Sequence, residues 1–310
     1  MRWASKLKVH KVSKVYKVQS MQKIRKAVIP AAGYGTRFLP AVKTIPKEML
    51  PVVDKPTILY VVEELVKSGI EEIIIVTNPH KHEIEDFFDD DAEMENFLEK
   101  NGKLEILDQI RKISRMAEFV YIRQKGNYGN GTPVLNAEAV IGNEPFVVHW
   151  ADEIDLANPP TISQMSEVYA KYERPVIAAF RVASDREYSQ YGILDGKDIG
   201  EGVHELKGIV EKPGPENPPS NLAQRGAFIL TPDIFPALKE TTPGKGNEIW
   251  LVDGMNAIVK NGPLYGCEVK GCKSYDTGNP LNYLKTNIEF ALMRDDLRDD
   301  LKDYLKSLDI

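Results

Sequence analysis

Only two cysteines, Cys267 and Cys272, occur in the 310 residues. That scarcity excludes a disulfide scaffold and a cysteine-rich metal cluster, and no paired His/Cys spacing accompanies them. A reduced, cytosolic pair is the expectation, with a disulfide between the two as the alternative. Long apolar runs are missing too. The longest, such as Ile73–Val76 and Val176–Phe180, fall far below the ~18 to 20 residues a spanning helix needs, so a soluble, cytoplasmic protein is expected. Nor is the composition biased: 42% of residues are hydrophobic and 28% charged, with 22 glycines and 20 prolines. Disorder and collagen are thereby excluded, and the length suits one large or two modest domains.

Acids are absent from residues 1–26, which carry nine Lys or Arg. The formal net charge of −6 therefore hides a body in which 31 bases face 46 acids. A surface this acidic repels nucleic acid and anionic membrane, and neither partner is expected. The basic tail repeats Lys-Val (Lys8-Val9, Lys11-Val12, Lys14-Val15, Lys17-Val18) and lacks both a signal peptide's apolar core and the Arg and Ser of a transit peptide. Three readings of it stay open: an extension upstream of a start at Met21, a solvated or edge-strand arm, and a nucleic-acid-binding arm.

From Lys26 onward, short β-branched runs alternate with amphipathic stretches. Ala27-Val28-Ile29 reads as a buried strand feeding a glycine loop. Ile58, Leu59, Val61, Val62, Leu65 and Val66 then recur at helical spacing, with Gly69 as the stop. Further buried strands are expected at 73–76, 119–122, 146–149 and 176–180, with helices over 134–141 and 162–172. The alternation predicts an α/β, doubly wound, mostly parallel (Rossmann-like) sheet with helices on both faces. Pro213–Asn221 reads as a surface loop. After Pro280 a helical pattern begins, and acidic-basic repeats from Arg294 to Lys306 continue it. Nothing forces a second core, so the division expected is a basic extension over 1–20 and a single domain over 21–310, ending in a helical tail at about 281–310.

The most informative segment is Ala31-Ala32-Gly33-Tyr34-Gly35-Thr36-Arg37, followed by Pro46-Lys47-Glu48. It directly follows the first strand, where glycines let backbone N–H groups approach a phosphate at the carboxyl end of a parallel sheet. Arg37 offers a bidentate fork and Lys47 a compact charge, a pair suited to a polyphosphate. A dinucleotide fingerprint fails, because Phe38 stands where the third glycine belongs, and no Walker string occurs. Alone, the segment could equally be a tight turn with a surface arginine.

Lys26–Pro56, K-A-V-I-P-A-A-G-Y-G-T-R-F-L-P-A-V-K-T-I-P-K-E-M-L-P-V-V-D-K-P, resembles the opening of the sugar-1-phosphate nucleotidyltransferases, and among them the bacterial-type UTP:glucose-1-phosphate uridylyltransferases. The likeness runs on through Gln124, Asp152, Tyr191-Gly192, Ile209-Val210-Glu211-Lys212-Pro213, Ile229-Leu230-Thr231-Pro232 and Tyr275-Asp276-Thr277-Gly278, nearly everything beyond Met21. It implies the nucleotidyltransferase fold and the conversion of UTP and glucose 1-phosphate to UDP-glucose and pyrophosphate, with Mg2+ as cofactor and a homodimer or homotetramer as the assembly. Asp152 and Asp276 match the metal aspartates. Lys47 matches the cation that holds the triphosphate, Arg37 the one that stabilises the departing pyrophosphate, and Lys212 the sugar-phosphate lysine. Glu211 matches an acceptor of sugar hydroxyls, and Gly192 a glycine that lets the sugar approach the main chain. Ala32, Gly33, Gly35, Thr36, Gln124 and Gly129 match nucleotide contacts. Read without the family, Asp152 could be a strand-end turn, Asp276 an Asx turn, and Glu211-Lys212 an exposed ion pair.

His149, within a strand, reads as a packed histidine rather than a proton carrier. His80 and His82 lack a third ligand, and the zinc reading is set aside.

The chain departs from the family pattern at four places. Gly129-Asn130-Gly131-Thr132-Pro133 replaces Gly-Leu-Gly-His-Ala, and Ala151-Asp152-Glu153 lengthens the second carboxylate. Gly226 stands where Tyr is often found, and Trp250 where Gln is usual. The last two are expected near the sugar. Two alternatives accompany the uridylyltransferase expectation: a thymidylyltransferase using dTTP, since one methyl is worth only ~1 to 3 kcal/mol, and a non-catalytic, nucleotide-sugar-binding regulatory paralogue.

Overall fold

Runs of valine and isoleucine that bury both faces favour parallel pairing, because helices must cover each side of such a sheet. The computed structural model describes residues 23–308; the expected basic extension over 1–20 lies outside the described residues. The strands are β1 Lys26–Pro30, β2 Pro51–Val52, β3 Lys55–Pro56, β4 Glu72–Thr77, β5 Glu118–Arg123, β6 Phe146–His149, β7 Glu153–Leu156, β8 Val176–Arg181, β9 Gly192–Gly200, β10 Val203–Glu211, β11 Leu222–Leu230, β12 Leu264–Glu268 and β13 Lys273–Asp276. Nine of them form one sheet in the order β5-β4-β1-β6-β11-β8-β12-β10-β9. Its first four strands are parallel, whereas β11 and β10 run against their neighbours. The sheet is thus mixed, half parallel and half antiparallel rather than mostly parallel as expected, because β11 and β10 enter it against their neighbours.

Side chains alternate across β1 and β4. Ala27, Ile29, Ile73 and Ile75 join one core with Ile58, Val62 and Leu65 of the helix Thr57–Lys67, and with Ile162 and Met165 of the helix Thr161–Tyr172. Val28, Ile74 and Val76 point the other way, onto Val134, Leu238, Leu251 and Met255. Two separate cores on two faces follow from the period of two in a strand.

Three expectations need correction. Phe119–Ile122 is only half-buried, because β5 is the sheet's edge strand with one neighbour. The helix expected over 134–141 is two short helices, Gly131–Asn136 and Glu138–Ile141. The C-terminal helix Pro280–Met293 does not continue through Arg294. It stops there, and a second helix, Arg298–Ser307, follows. Among the described residues no helix is long and apolar enough to cross a membrane, and Cys267 and Cys272 are free thiols.

Candidate active site

The carboxyl ends of β1, β4 and β6 open onto two adjoining cavities, the position where open α/β sheets hold ligands. The first, about 260 Å³, is walled by Ala32, Gly33, Lys47, Gln124, Gly129 and Asp152 among others. The second, about 240 Å³, is walled by Arg37, Gly192, Glu211, Lys212, Trp250 and Asp276, again with Asp152. Asn130, Trp150 and Asp152 belong to both walls. Gly35 and Thr36 line neither. Gly35 instead takes φ 63° beside Lys47, whose Cβ would lie 3.1 Å from a side chain placed there.

The glycine loop is held from below. Asn78 Nδ2 donates to the Ala32 carbonyl at 2.9 Å, and Lys81 Nζ donates to the Ala31 carbonyl at 2.6 Å and to Glu48 Oε2 at 2.7 Å. The Lys81 and Glu48 side chains are 7% and 1% exposed, a fully desolvated pair. Neither carried a role in the sequence reading. The only signal was the adjacency of Glu48 to Lys47, because Lys81 reaches the site through a turn after β4.

Lys47 Nζ meets Asp152 Oδ2 at 2.5 Å. Burial works against the Lys47 ammonium, but Asp152 and Glu48 outweigh it and raise its pKa above the ordinary value. Burial likewise opposes the Asp152 carboxylate, and Lys47 reverses the effect and lowers it. Both groups are therefore charged at neutral pH.

Asp276 reaches Asp152 through strand pairing. β13 lies antiparallel to β7 with Asp276 opposite Glu153, and Thr277 donates to the Asp152 carbonyl from both N and Oγ1 at 2.8 Å. A Cβ on Gly278 would sit 2.9 Å from both Asp152 Oδ2 and Asp276 Oδ1. The two carboxylates thus converge over a residue with no side chain. The Asx turn also forms, since Gly278 N donates to Asp276 Oδ1 at 2.7 Å. Glu153 turns aside and accepts from Gly226 N at 2.8 Å. Burial pushes its carboxyl up to about 8, with Asp152 and Asp276 adding to the rise.

β9 pairs with β10 so that Gly192 faces Glu211. Lys212, at φ 47°, turns its ammonium to 3.2 Å from Glu211 Oε1 and 5.9 Å from the centre of the Trp250 ring. His149 is buried in β6, its Nδ1 2.9 Å from the Trp150 carbonyl.

A family model described as "Nucleotidyl transferase" matches residues 26–291. The chain belongs to this family. A UTP–glucose-1-phosphate uridylyltransferase of Staphylococcus epidermidis is 44% identical over 290 residues, covering 94% of this chain and 100% of the relative. A crystal structure of UDP-glucose pyrophosphorylase complexed with UDP-glucose aligns with TM-score 0.80 at 43% identity, covering 88% of this chain and 100% of that one. A UTP-bound UDP-glucose pyrophosphorylase of Acinetobacter baumannii aligns with TM-score 0.85 at 35% identity, over 92% and 100%.

The departures of this nucleotidyl transferase from its family pattern acquire physical reasons. Asn130 Oδ1 accepts from Leu251 N at 2.8 Å and Gly131 N donates to the Ile249 carbonyl at 2.9 Å, so the altered loop is clasped to the altered 249–251 segment. Trp250 lines the second cavity as expected. Gly226 does not, and it has no room for a larger residue: a Cβ would lie 2.3 Å from Trp150 Cδ1. Gly129, at φ 116°, is as tightly bound, because a Cβ there would fall 2.2 Å from the Ile249 carbonyl oxygen. Gly129→Ala is expected to cost at least about 1 to 3 kcal/mol through overpacking, read as a lowered Tm, and to weaken nucleotide binding by displacing this loop.

Proposed function

We propose that the chain transfers the uridylyl group of UTP to glucose 1-phosphate, giving UDP-glucose and pyrophosphate. The observation that carries this is Asp152 in the shared wall of two cavities. One cavity has the glycine loop, Gln124 and Gly129 for a nucleotide; the other has Gly192, Glu211 and Lys212 for a sugar phosphate. Each substrate's reacting phosphate then lies at the junction.

The second pKa of a phosphate monoester is near ~6, so the attacking sugar-phosphate oxygen is already ionised at neutral pH. It attacks the α-phosphorus of UTP, and the bond from that phosphorus to the bridging oxygen of the β-phosphate breaks. That oxygen leaves with the electron pair as part of pyrophosphate. No general base is required, and the protein's task is to hold two anions in line and stabilise the leaving charge. Lys212 grips the sugar phosphate, Lys47 holds the triphosphate, and Arg37 faces the departing pyrophosphate. Lys47 is charged beforehand by Asp152 and Glu48, so no proton has to be gained when the triphosphate enters.

Asp152 and Asp276 fit a divalent metal: both offer hard oxygens, they converge over Gly278, and a side chain there would fill the space. Such a pair suits Mg2+, which takes few protein ligands and completes its shell with water and phosphate. When bound, Mg2+ would neutralise phosphate charge.

The same reading takes residues 21–310 as one domain, supported by the continuous nine-stranded sheet, and a cytoplasmic setting, supported by two free thiols. The exposed stripe Leu281, Leu284 and Ile288 supports association into a homodimer or homotetramer. The relatives' names favour UTP over dTTP, and the intact Arg37, Lys47, Asp152, Lys212 and Asp276 favour catalysis over a regulatory role.

The test is pyrophosphate release by the full chain with Mg2+, across UTP, dTTP, CTP and ATP and a panel of sugar 1-phosphates. UTP with glucose 1-phosphate should give the highest kcat/KM. Silence with every pair would overturn the enzyme reading, and a preference for dTTP would replace uridylyl with thymidylyl transfer.

A further inference from the structure

Gln224 Oε1 is buried and has no hydrogen-bond partner among the described residues. A buried carbonyl oxygen left unmade is costly, so its presence calls for a partner that arrives from outside the fold. The side chain is placed by the sheet. Ala223 of β11 pairs with Ile193 of β9, which sets Gln224 beside Gly192. A Cβ on Gly192 would lie 2.6 Å from Gln224 Nε2 and 3.0 Å from Glu211 Oε2. Amide and carboxylate therefore meet over the bare Cα of Gly192, in the wall of the cavity that also holds Lys212 and Trp250.

The two groups differ chemically. Glu211 as a carboxylate only accepts, whereas the Gln224 amide has one accepting oxygen and two donating hydrogens. A hexose ring presents neighbouring hydroxyls, each able to donate once and accept as well. We infer that Gln224 is a specificity-determining residue of this site, its Oε1 accepting a hydrogen bond from one ring hydroxyl of the hexose 1-phosphate beside a hydroxyl bound by Glu211. The inference rests on the reading of this cavity as the sugar-phosphate site, and it adds a residue that no match to a family motif supplied.

Gln224→Leu, of similar size and without polar atoms, tests it in the full chain. Wild-type turnover of UTP with glucose 1-phosphate comes first; its absence would defeat the underlying reading rather than the role of Gln224. Given turnover, Gln224→Leu is expected to raise the KM for glucose 1-phosphate about tenfold, leaving the KM for UTP and the kcat within about threefold. An unchanged UTP KM also shows that the variant folds. A series of monodeoxy glucose 1-phosphates supplies the second readout. The wild type should lose about tenfold in kcat/KM at one ring position, and Gln224→Leu should lose nothing further at that position, as a coupled pair requires. An unmoved sugar KM, or the same deoxy profile in both proteins, would overturn the inference and leave Gln224 Oε1 to a resident water.

Discussion

Asp152→Ala should lower turnover by roughly a thousandfold or more while leaving the fold intact. Two losses act together. The proposed metal site over Gly278 would keep only the Asp276 carboxylate, and Lys47 loses the partner 2.5 Å away that helps to hold it charged and in place. The Asp152 side chain is not part of either core, and the backbone carbonyl that receives Thr277 N and Oγ1 is untouched. Far-UV circular dichroism should therefore stay near wild type, with at most a modest fall in Tm from the unpaired, partly exposed Lys47. Retention of most activity would remove Asp152 from the centre of the reaction. Asp152→Asn refines the result: it preserves shape and removes charge, so an equal loss would assign the effect to the carboxylate's charge.

The second large effect is expected on stability. Glu48→Ala leaves the Lys81 ammonium buried without its counter-charge, and breaking such a pair costs about 3 to 5 kcal/mol. Burial already lowers the Lys81 pKa below its ordinary value, and Glu48 opposes that fall. In Glu48→Ala the opposition is gone, so the folded state releases the proton at a still lower pH than the unfolded chain does. Between those two pKa values the unfolded state binds more protons, and stability then rises with pH. The Tm deficit of Glu48→Ala should accordingly shrink as pH rises toward the ordinary lysine range. The double variant Glu48→Leu/Lys81→Met should recover much of the stability, since a buried pair replaced by apolar groups is often neutral. Its KM for UTP should nevertheless exceed that of wild type, because the bond from Lys81 to the Ala31 carbonyl is lost. A double variant with wild-type KM would show that the pair supports only the fold.

The β-branched runs and the spacing of Ile58, Val61, Val62 and Leu65 were sufficient to read the parallel half of the sheet and its first helix, because burial on two faces leaves a periodic trace in one short segment. The antiparallel half was not legible. β9 and β10 carry polar and glycine residues on an exposed hairpin, so their pairing leaves little hydrophobic signal. The glycine loop and its two cations could be found by motif, as could Asp152, Lys212 and Asp276. Lys81 and Asn78 could not, since each acts on the loop through a single contact across the fold.

What the sequence by itself determined is therefore local: that the central strands β1, β4, β6 and β8 are buried, where the loop after β1 turns, and which charged residues stand at strand ends. Only the tertiary structure decided how these ends meet. Pairing of β7 with β13 brings Asp276 to Asp152, pairing of β9 with β10 brings Gly192 to Glu211, and β11 then delivers Gln224 to the same spot. Register between strands as distant in sequence as β7 and β13, or β9 and β11, is fixed by how the whole chain packs and not by one short stretch, whereas the β9–β10 hairpin takes its register from its own turn.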